Sequence, residues 1–319
     1  MVSLQGIFYS GAVVVIITLI AFHIISYMDS VRSQGEQVTV LIRANEMGNF
    51  IDSISLDMPR AVDIATKRAL VAGINEVDLR GSGLDDAQLR LRELVMNGTI
   101  YGSDSYWLNA STVPEWSERV QVIGGNKGFD VNFSFSSFAV SPYDSFHLRA
   151  DLEWSVNLSD RLVSMSVRRS YNTTVLIPIA NLDDPLYPMH TRGLANRKVV
   201  PANFTSYNLT TLDTIVANSL YVNSSDGPSF MDRLEDNLIV PSKYNLMTSS
   251  QIGLASIVNV QDLINYGLEV DENQTSVDYV YFGTIPVQGY PVNGSSYAWL
   301  RLNDEQAQFY GVNGSLDYG

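Results

Sequence analysis

Residues 7–28 contain no Asp, Glu, Lys or Arg, and eleven Asn-x-Ser/Thr sequons follow, all beyond residue 96. An uncharged apolar run of this length suffices to cross a bilayer core, which takes about 20 residues in helical form. The acceptors are Asn97, Asn109, Asn132, Asn157, Asn172, Asn203, Asn208, Asn223, Asn273, Asn293 and Asn313. Ser and Thr total 50 of 319 residues and Asn 23, so chance would give about 4 sequons. Together the two features predict one helical anchor over 1–28, in contact with membrane lipid through 7–28, and an extracellular body bearing N-linked glycans. The sequons set this orientation, because residues 1–6 carry no Lys or Arg to count. A cleaved signal peptide is the competing reading. Such peptides have a shorter apolar core, a basic leader and a small-residue cleavage site; this chain has none of these.

About 290 residues follow the anchor, enough for one or two domains with real cores. The net charge of −14 argues against a nucleic-acid partner, which needs clustered Lys and Arg. Cysteine is absent, which excludes disulfides, thiolate metal sites and a Cys nucleophile. A Cys-free, sequon-rich chain fits an archaeal surface protein better than an animal one.

Beyond the anchor, Leu41, Ala44, Met47, Ile51, Ile54, Met58, Val62, Ala65, Ala69 and Ala72 recur at steps of three and four. This predicts an amphipathic helix over residues 29–78, continuous with the anchor and kinked at Pro59. Its apolar stripe has two readings: packing on its own domain, or a stalk that also contacts other subunits. Leu41, Ala44, Met47 and Ile51, nearest the membrane, are the candidate assembly residues. Shorter helices are expected over 85–96 and 114–122, ended by Gly124 and Gly125.

Strict alternation follows. Phe146, Leu148, Ala150, Leu152, Trp154, Val156 and Leu158 are apolar, and the residues between them are polar. This is the pattern of a half-buried antiparallel strand. Similar runs start at Phe129, at Val163 and at Val175, with a phase shift at Ser136–Ser137 that suggests a bulge. The expectation is a four-strand antiparallel meander over 129–180 resting on the long helix. Asn132 and Asn157 fall on the polar faces of their strands, and Asn172, read as the turn before the last run, is out of phase with Val175, Ile177 and Ile179. Residues 183–188 mark a boundary, and 181–319 reads as a second, mixed α+β domain. Helices are expected there over 209–221, 229–235 and 250–264, and strands over 276–283 and 297–302. The overall fold class is α+β.

No catalytic, cofactor-binding or metal site emerges. His23, His147 and His190 lack zinc-site spacing, and no nucleophile elbow, phosphate-binding loop or dinucleotide fingerprint occurs. Glu269, Asp271 and Asn273 alternate oxygen ligands that could hold Ca²⁺, without the glycine and distal Glu of an EF-hand; a solvated loop is favoured. Asp232, Arg233, Glu235 and Asp236 read as a surface or interface helix, and Asp183 with Asp184 as turn formers.

An apolar helix running into an amphipathic one, followed by an antiparallel meander, resembles the layout of the type IV pilin and pseudopilin superfamily over residues 7–179. The resemblance implies an anchor helix that later lines a filament core. The chain departs from that pattern in having no Lys or Arg before Gly6-Ile7-Phe8 and in carrying Gly11 where bacterial pilins usually place Glu. The expected function is a non-enzymatic, single-pass, cell-surface glycoprotein. It would be a structural or adhesive subunit of a filament or envelope assembly, a homo- or hetero-oligomer with other surface subunits. The rival is an anchored ectodomain that captures or senses a ligand at 181–319; an anchored hydrolase has no motif behind it.

Overall fold

The computed structural model describes residues 4–319, without the side chains of 4–11 and 33. Residues 1–3 of the expected anchor, and the side chains at Ile7, Phe8 and Gly11, therefore lie outside the described residues. The chain is a mixture of helix and small antiparallel sheets, in two compact units. One unit comprises the chain up to Ser55, Gln121–Asn132 and Val156–Arg169; the other comprises Leu56–Val120, Phe133–Ser155 and Ser170–Gly319.

Helix α1, Leu4–Arg80, runs 77 residues without a break at Pro59. An interior proline costs about 3 kcal/mol in a helix, and the fully buried Met58 and Val62 flank it. Burial offsets that cost. The predicted stripe is buried at every position from Met47 to Ala72, whereas Leu41 is 62% exposed. In the first unit, Phe50 packs on Phe129 with ring centroids 5.8 Å apart. There Arg43 donates to the buried Asp160 at 2.6 Å, and Arg169 to Asp52 at 2.8 Å.

Helix α2 is Ala87–Asn97, capped by Asp86 and ended by Gly98 in the left-handed region. A two-residue ribbon, β1 (Thr99–Ile100) with β2 (Ser103–Asp104), leads to a 3₁₀ turn at Tyr106–Leu108. Helix α3, Val113–Asn126, runs through the glycine pair expected to end it. The reason is packing. A Cβ at Gly124 would lie 2.4 Å from Val131 Cγ2 and 3.3 Å from the Phe50 ring, so glycine there permits close approach.

Three strands follow, not four: β3 (Phe129–Asp144), β4 (His147–Asp160) and β5 (Ser166–Pro178), paired in that order. Of the run at Val163, only Val167 shares β5 with Val175; Val163 lies in the turn before it. Asn172 is not a turn but an exposed strand residue, and its neighbour Thr173 is buried. The β4 register is as expected, with Leu148, Ala150, Leu152, Trp154, Val156 and Leu158 all buried. Within the second unit, Trp154 stacks on Tyr171 at 4.7 Å and donates Nε1–H to Thr173 Oγ1 at 2.9 Å. Ser136 and Ser137 are both exposed, which preserves the expected phase shift.

The remainder of the second unit is α4 (Leu186–Thr191), α5 (Leu209–Ala217), β6 (Val222–Ser229), α6 (Phe230–Leu234), β7 (Gly253–Ala255), α7 (Val260–Asn265), α8 (Asp278–Tyr281), β8 (Tyr290–Pro291), β9 (Arg301–Leu302) and α9 (Asp304–Phe309). Two expectations fail here, and a third, the strand over 297–302, is reduced to the two residues of β9. Residues 250–264 open with β7, antiparallel to β6, and become helical only at Val260. Residues 276–283 hold helix α8 instead of a strand. Residues 252–258 are all buried, so no amphipathic period distinguishes helix from strand. The segment 183–188 is not an exposed linker, because Asp184, Leu186 and Tyr187 are buried. Residues on both sides of it are knit together. Leu84 N–H donates to Leu234 O at 2.7 Å and Ala87 N–H to Glu235 Oε1 at 2.7 Å. Glu235 also accepts from Tyr244 and Lys243.

Candidate functional site

The chain's most exposed apolar surface is the first part of α1. Every described side chain from residue 12 to 42 is exposed. Val13, Ile16, Ile20, Ile24, Met28, Val31, Val38 and Ile42 are each at least half exposed. Among the described residues, α1 is the one helix long and apolar enough to cross a membrane. The four candidate assembly residues do not share a surface. Leu41 is exposed and Ala44 half-buried, but Met47 and Ile51 are fully buried in the chain's own core. The stripe is one pattern at sequence level, yet it changes partner at about residue 44.

All eleven sequon asparagines are exposed, while five of the other twelve (Asn75, Asn237, Asn245, Asn259 and Asn303) are half-buried. Acceptors are thus kept where a bulky sugar fits. Asn208 illustrates the compatibility. Its Oδ1 caps α5 by accepting from Thr211 N–H at 3.0 Å, which leaves Nδ2, the atom a glycan would occupy, free of that role.

The second unit also encloses a polar network that sequence reasoning missed. Arg233, Asp184 and Asp278 are each 0% exposed. Arg233 Nη1 lies 2.6 Å from Asp184 Oδ2 and 2.9 Å from Asp278 Oδ2. Tyr221 donates to Asp184 at 2.8 Å and Ser256 to Asp278 at 2.7 Å. Nearby, Arg197 donates to Tyr187 at 2.7 Å and to Ile257 O. Burial pushes the Asp184 carboxyl above its ordinary range, reinforced by the Asp278 charge and opposed by Arg233. At Arg233 burial works against the cation, but the two carboxylates outweigh it and hold the guanidinium charged. Burial pushes Tyr187 up to about 12. Both carboxylates and the Arg233 Nη atoms are paired within the network, whereas Arg233 Nε and Arg197 Nε and Nη2 are buried without a hydrogen-bond partner among the described residues. Asp232 and Arg233 are interior residues, where a surface or interface helix was expected. The available signal was Arg233 set among the apolar Phe230, Met231 and Leu234.

No group of three or more His, Cys, Asp or Glu among the described residues is placed to hold a metal. Glu269, Asp271 and Asn273 are exposed, and Asp271 Oδ1 accepts from Asn273 N–H at 2.9 Å, an ordinary turn contact. His147 pairs with Asp144 at 3.0 Å, and His190 with Asp236 at 2.9 Å while stacking on Phe282. His23 is exposed on α1.

Two hollows in the second unit share Val71 and Trp107 as a common wall. One is an open groove of about 520 Å³ that reaches Asn109. The other is a tighter cavity of about 240 Å³, lined by residues from α1 and from 181–196. Nothing in the sequence pattern singled out Trp107. Compared with known proteins, the chain matches no family, no curated protein and no solved structure.

Proposed function

We propose that the chain is a non-enzymatic, N-glycosylated extracellular surface protein, held by one membrane-spanning helix. In this reading it is a structural or adhesive subunit of a pilus-like filament or envelope assembly of archaeal type. The observation that supports it is the division of the chain: a bare, exposed apolar helix at one end, and sugar acceptors confined beyond residue 96 and exposed at all eleven positions. Residues up to 28 would meet lipid. Val38, Leu41 and Ile42 come ten or more residues later, about 15 Å further along the helix. There an exposed apolar face calls for another protein surface. Because Met47 and Ile51 belong to the core, the assembly surface shifts towards the membrane, to Val31, Val38, Leu41 and Ile42.

Crosslinking on intact cells, combined with glycopeptide mass spectrometry, tests this. Multimers in wild type that disappear in Val38→Glu/Ile42→Glu, with the fold kept, are expected, together with sugars at several acceptors. Monomers alone in wild type, or bare Asn132, Asn157 and Asn172 together, would overturn the reading. The rival, an anchored ligand-binding ectodomain, draws on the cavity at Trp107, which residues 181–196 help to line.

A further inference from the structure

Trp107 is 44% exposed on the 3₁₀ turn between β2 and α3, and Tyr106 meets it edge-on at 77°, leaving indole surface uncovered. Around the tighter cavity stand Asn75, Asp78, Asn181, Asp183 and Asn196. None of these five side chains makes a hydrogen bond or ion pair among the described residues. Other side chains of this kind in the unit do, as when Asn208 caps a helix and Asp184 binds Arg233. Five unpaired planar polar groups beside one bare indole form an arrangement with a definite chemical complement.

We propose that this cleft binds carbohydrate, and specifically a neutral pyranose. A pyranose ring has an apolar face of C–H groups that lies flat on an indole, and a rim of hydroxyls that both donate and accept. Asn offers a donor and an acceptor on one plane, and Asp two acceptors, so vicinal hydroxyls are met in pairs. A small number of convergent polar groups around an aromatic floor is the general composition of a ligand pocket. The charges select against acidic sugars. Asp78 and Asp183 face the cavity and make that selection there; in the outer groove Lys67 pairs with Asp63 at 2.8 Å, and Arg68, which donates to the neutral Ser111, keeps its charge. The cavity of about 240 Å³ has room for one ring, and the open groove of about 520 Å³ continues the cleft for further rings.

The sugar has two possible sources. Asn109 is itself a sequon acceptor on the wall of the groove, so a glycan on this chain would begin two residues from Trp107. A separate oligosaccharide is the other source. The site does not depend on assembly through α1, so either proposal can fail alone.

The full-length protein in detergent is titrated with maltotetraose, cellotetraose, chitotetraose and a hyaluronan tetrasaccharide, followed by tryptophan fluorescence and calorimetry. Wild type, Trp107→Ala, Asn196→Ala and Asn109→Gln are compared, with circular dichroism as the fold control. For an external ligand, wild type binds a neutral tetrasaccharide saturably. Trp107→Ala then weakens binding about tenfold or more, as removal of an aromatic anchor does, and Asn196→Ala weakens it too. For the chain's own glycan, mass spectrometry finds a sugar on Asn109, wild type binds nothing, and Asn109→Gln uncovers the same binding. The inference is overturned if neither wild type nor Asn109→Gln binds a neutral saccharide. It is equally overturned if binding survives Trp107→Ala unchanged, or if the acidic tetrasaccharide is preferred.

Discussion

Replacing Arg233 with Met should be among the most damaging single changes in the second unit, and restoring charge balance should undo most of the damage. Nη1 sits 2.6 Å from Asp184 and 2.9 Å from Asp278, and all three residues are 0% exposed. Removing one partner of a buried ion pair typically costs about 3–5 kcal/mol, because the charge left behind is uncompensated. Here two carboxylates are left behind, with Tyr221, Ser256 and the N–H groups of Leu186 and Tyr279 still donating to them. The loss should therefore fall at the upper end of that range. Replacing the whole cluster by neutral groups of similar shape is often near neutral, so Arg233→Met/Asp184→Asn/Asp278→Asn should recover more than half of it. The pH dependence has a definite sign. In the single variant Asp184, already raised by burial, loses the guanidinium that opposes the rise, so its folded pKa lies above the unfolded one and folding takes up a proton. Its contribution is present below the unfolded carboxylate range and lost as pH rises through the folded pKa. The defect of Arg233→Met should thus be largest at neutral pH and shrink towards pH 5, a trend absent from the triple variant. Urea denaturation of the full chain in detergent, followed by tryptophan fluorescence across that range, measures all three proteins. A triple variant no more stable than the single one would refute the reasoning.

Trp154→Asp should cost several kcal/mol by placing an unpaired carboxylate between Tyr171 and Phe133, while the exposed Glu153→Ala should stay within about 0.5 kcal/mol; similar thermal midpoints for the two would put the register off by one residue. Gly83→Ala should cost about 1–3 kcal/mol, since its Cβ would meet Glu235 backbone at 2.4 Å. Gly125→Ala, in a helix with nothing within 4 Å, should be neutral or stabilise by up to about 1 kcal/mol, and equal effects in a denaturation titration would contradict this contrast. Burial raises the Asp160 pKa, but hydrogen bonds from Leu162 N–H, Val163 N–H and Arg43 outweigh it and hold the carboxyl below its usual range. Its stabilising contribution is present above the unfolded carboxylate pKa and is lost as pH falls through the folded one. Asp160→Asn should therefore flatten the acid limb of the thermal midpoint against pH, and an unchanged limb would show that the pairing contributes nothing.

The long helix and strand β4 were legible because each repeats one period over many residues with a single buried face. The stripe from Met47 to Ala72 and the alternation from Leu148 to Leu158 are both fully realised. What the stripe could not reveal is where it changes neighbour: Leu41 and Met47 occupy equivalent steps, yet one is 62% exposed and the other 0%. The later elements were mostly illegible. The helices among them are four to nine residues long, too short for a helical period to show, the strands two to eight, and residues 252–258 are all buried. The ionic network joins residues 49 and 45 positions apart, and no local pattern connects them. Trp107 and its five polar neighbours come from three separate stretches of chain and converge only in the fold. The sequons were legible without any fold, and all eleven of their asparagines are exposed.

Glu235 holds the N-terminus of α2 through Ala87, and Gly83 leaves room for the backbone that Glu235 belongs to. The consequence concerns modularity. A fragment ending at residue 180 would keep α1, α2 and the three-stranded sheet, yet it would lose the carboxylate that satisfies Ala87 and the Leu234 carbonyl that receives Leu84. Such a fragment is a broken piece, not a smaller working version. Residues 181–319 are likewise not a cargo that could be exchanged for another by recombination at that point.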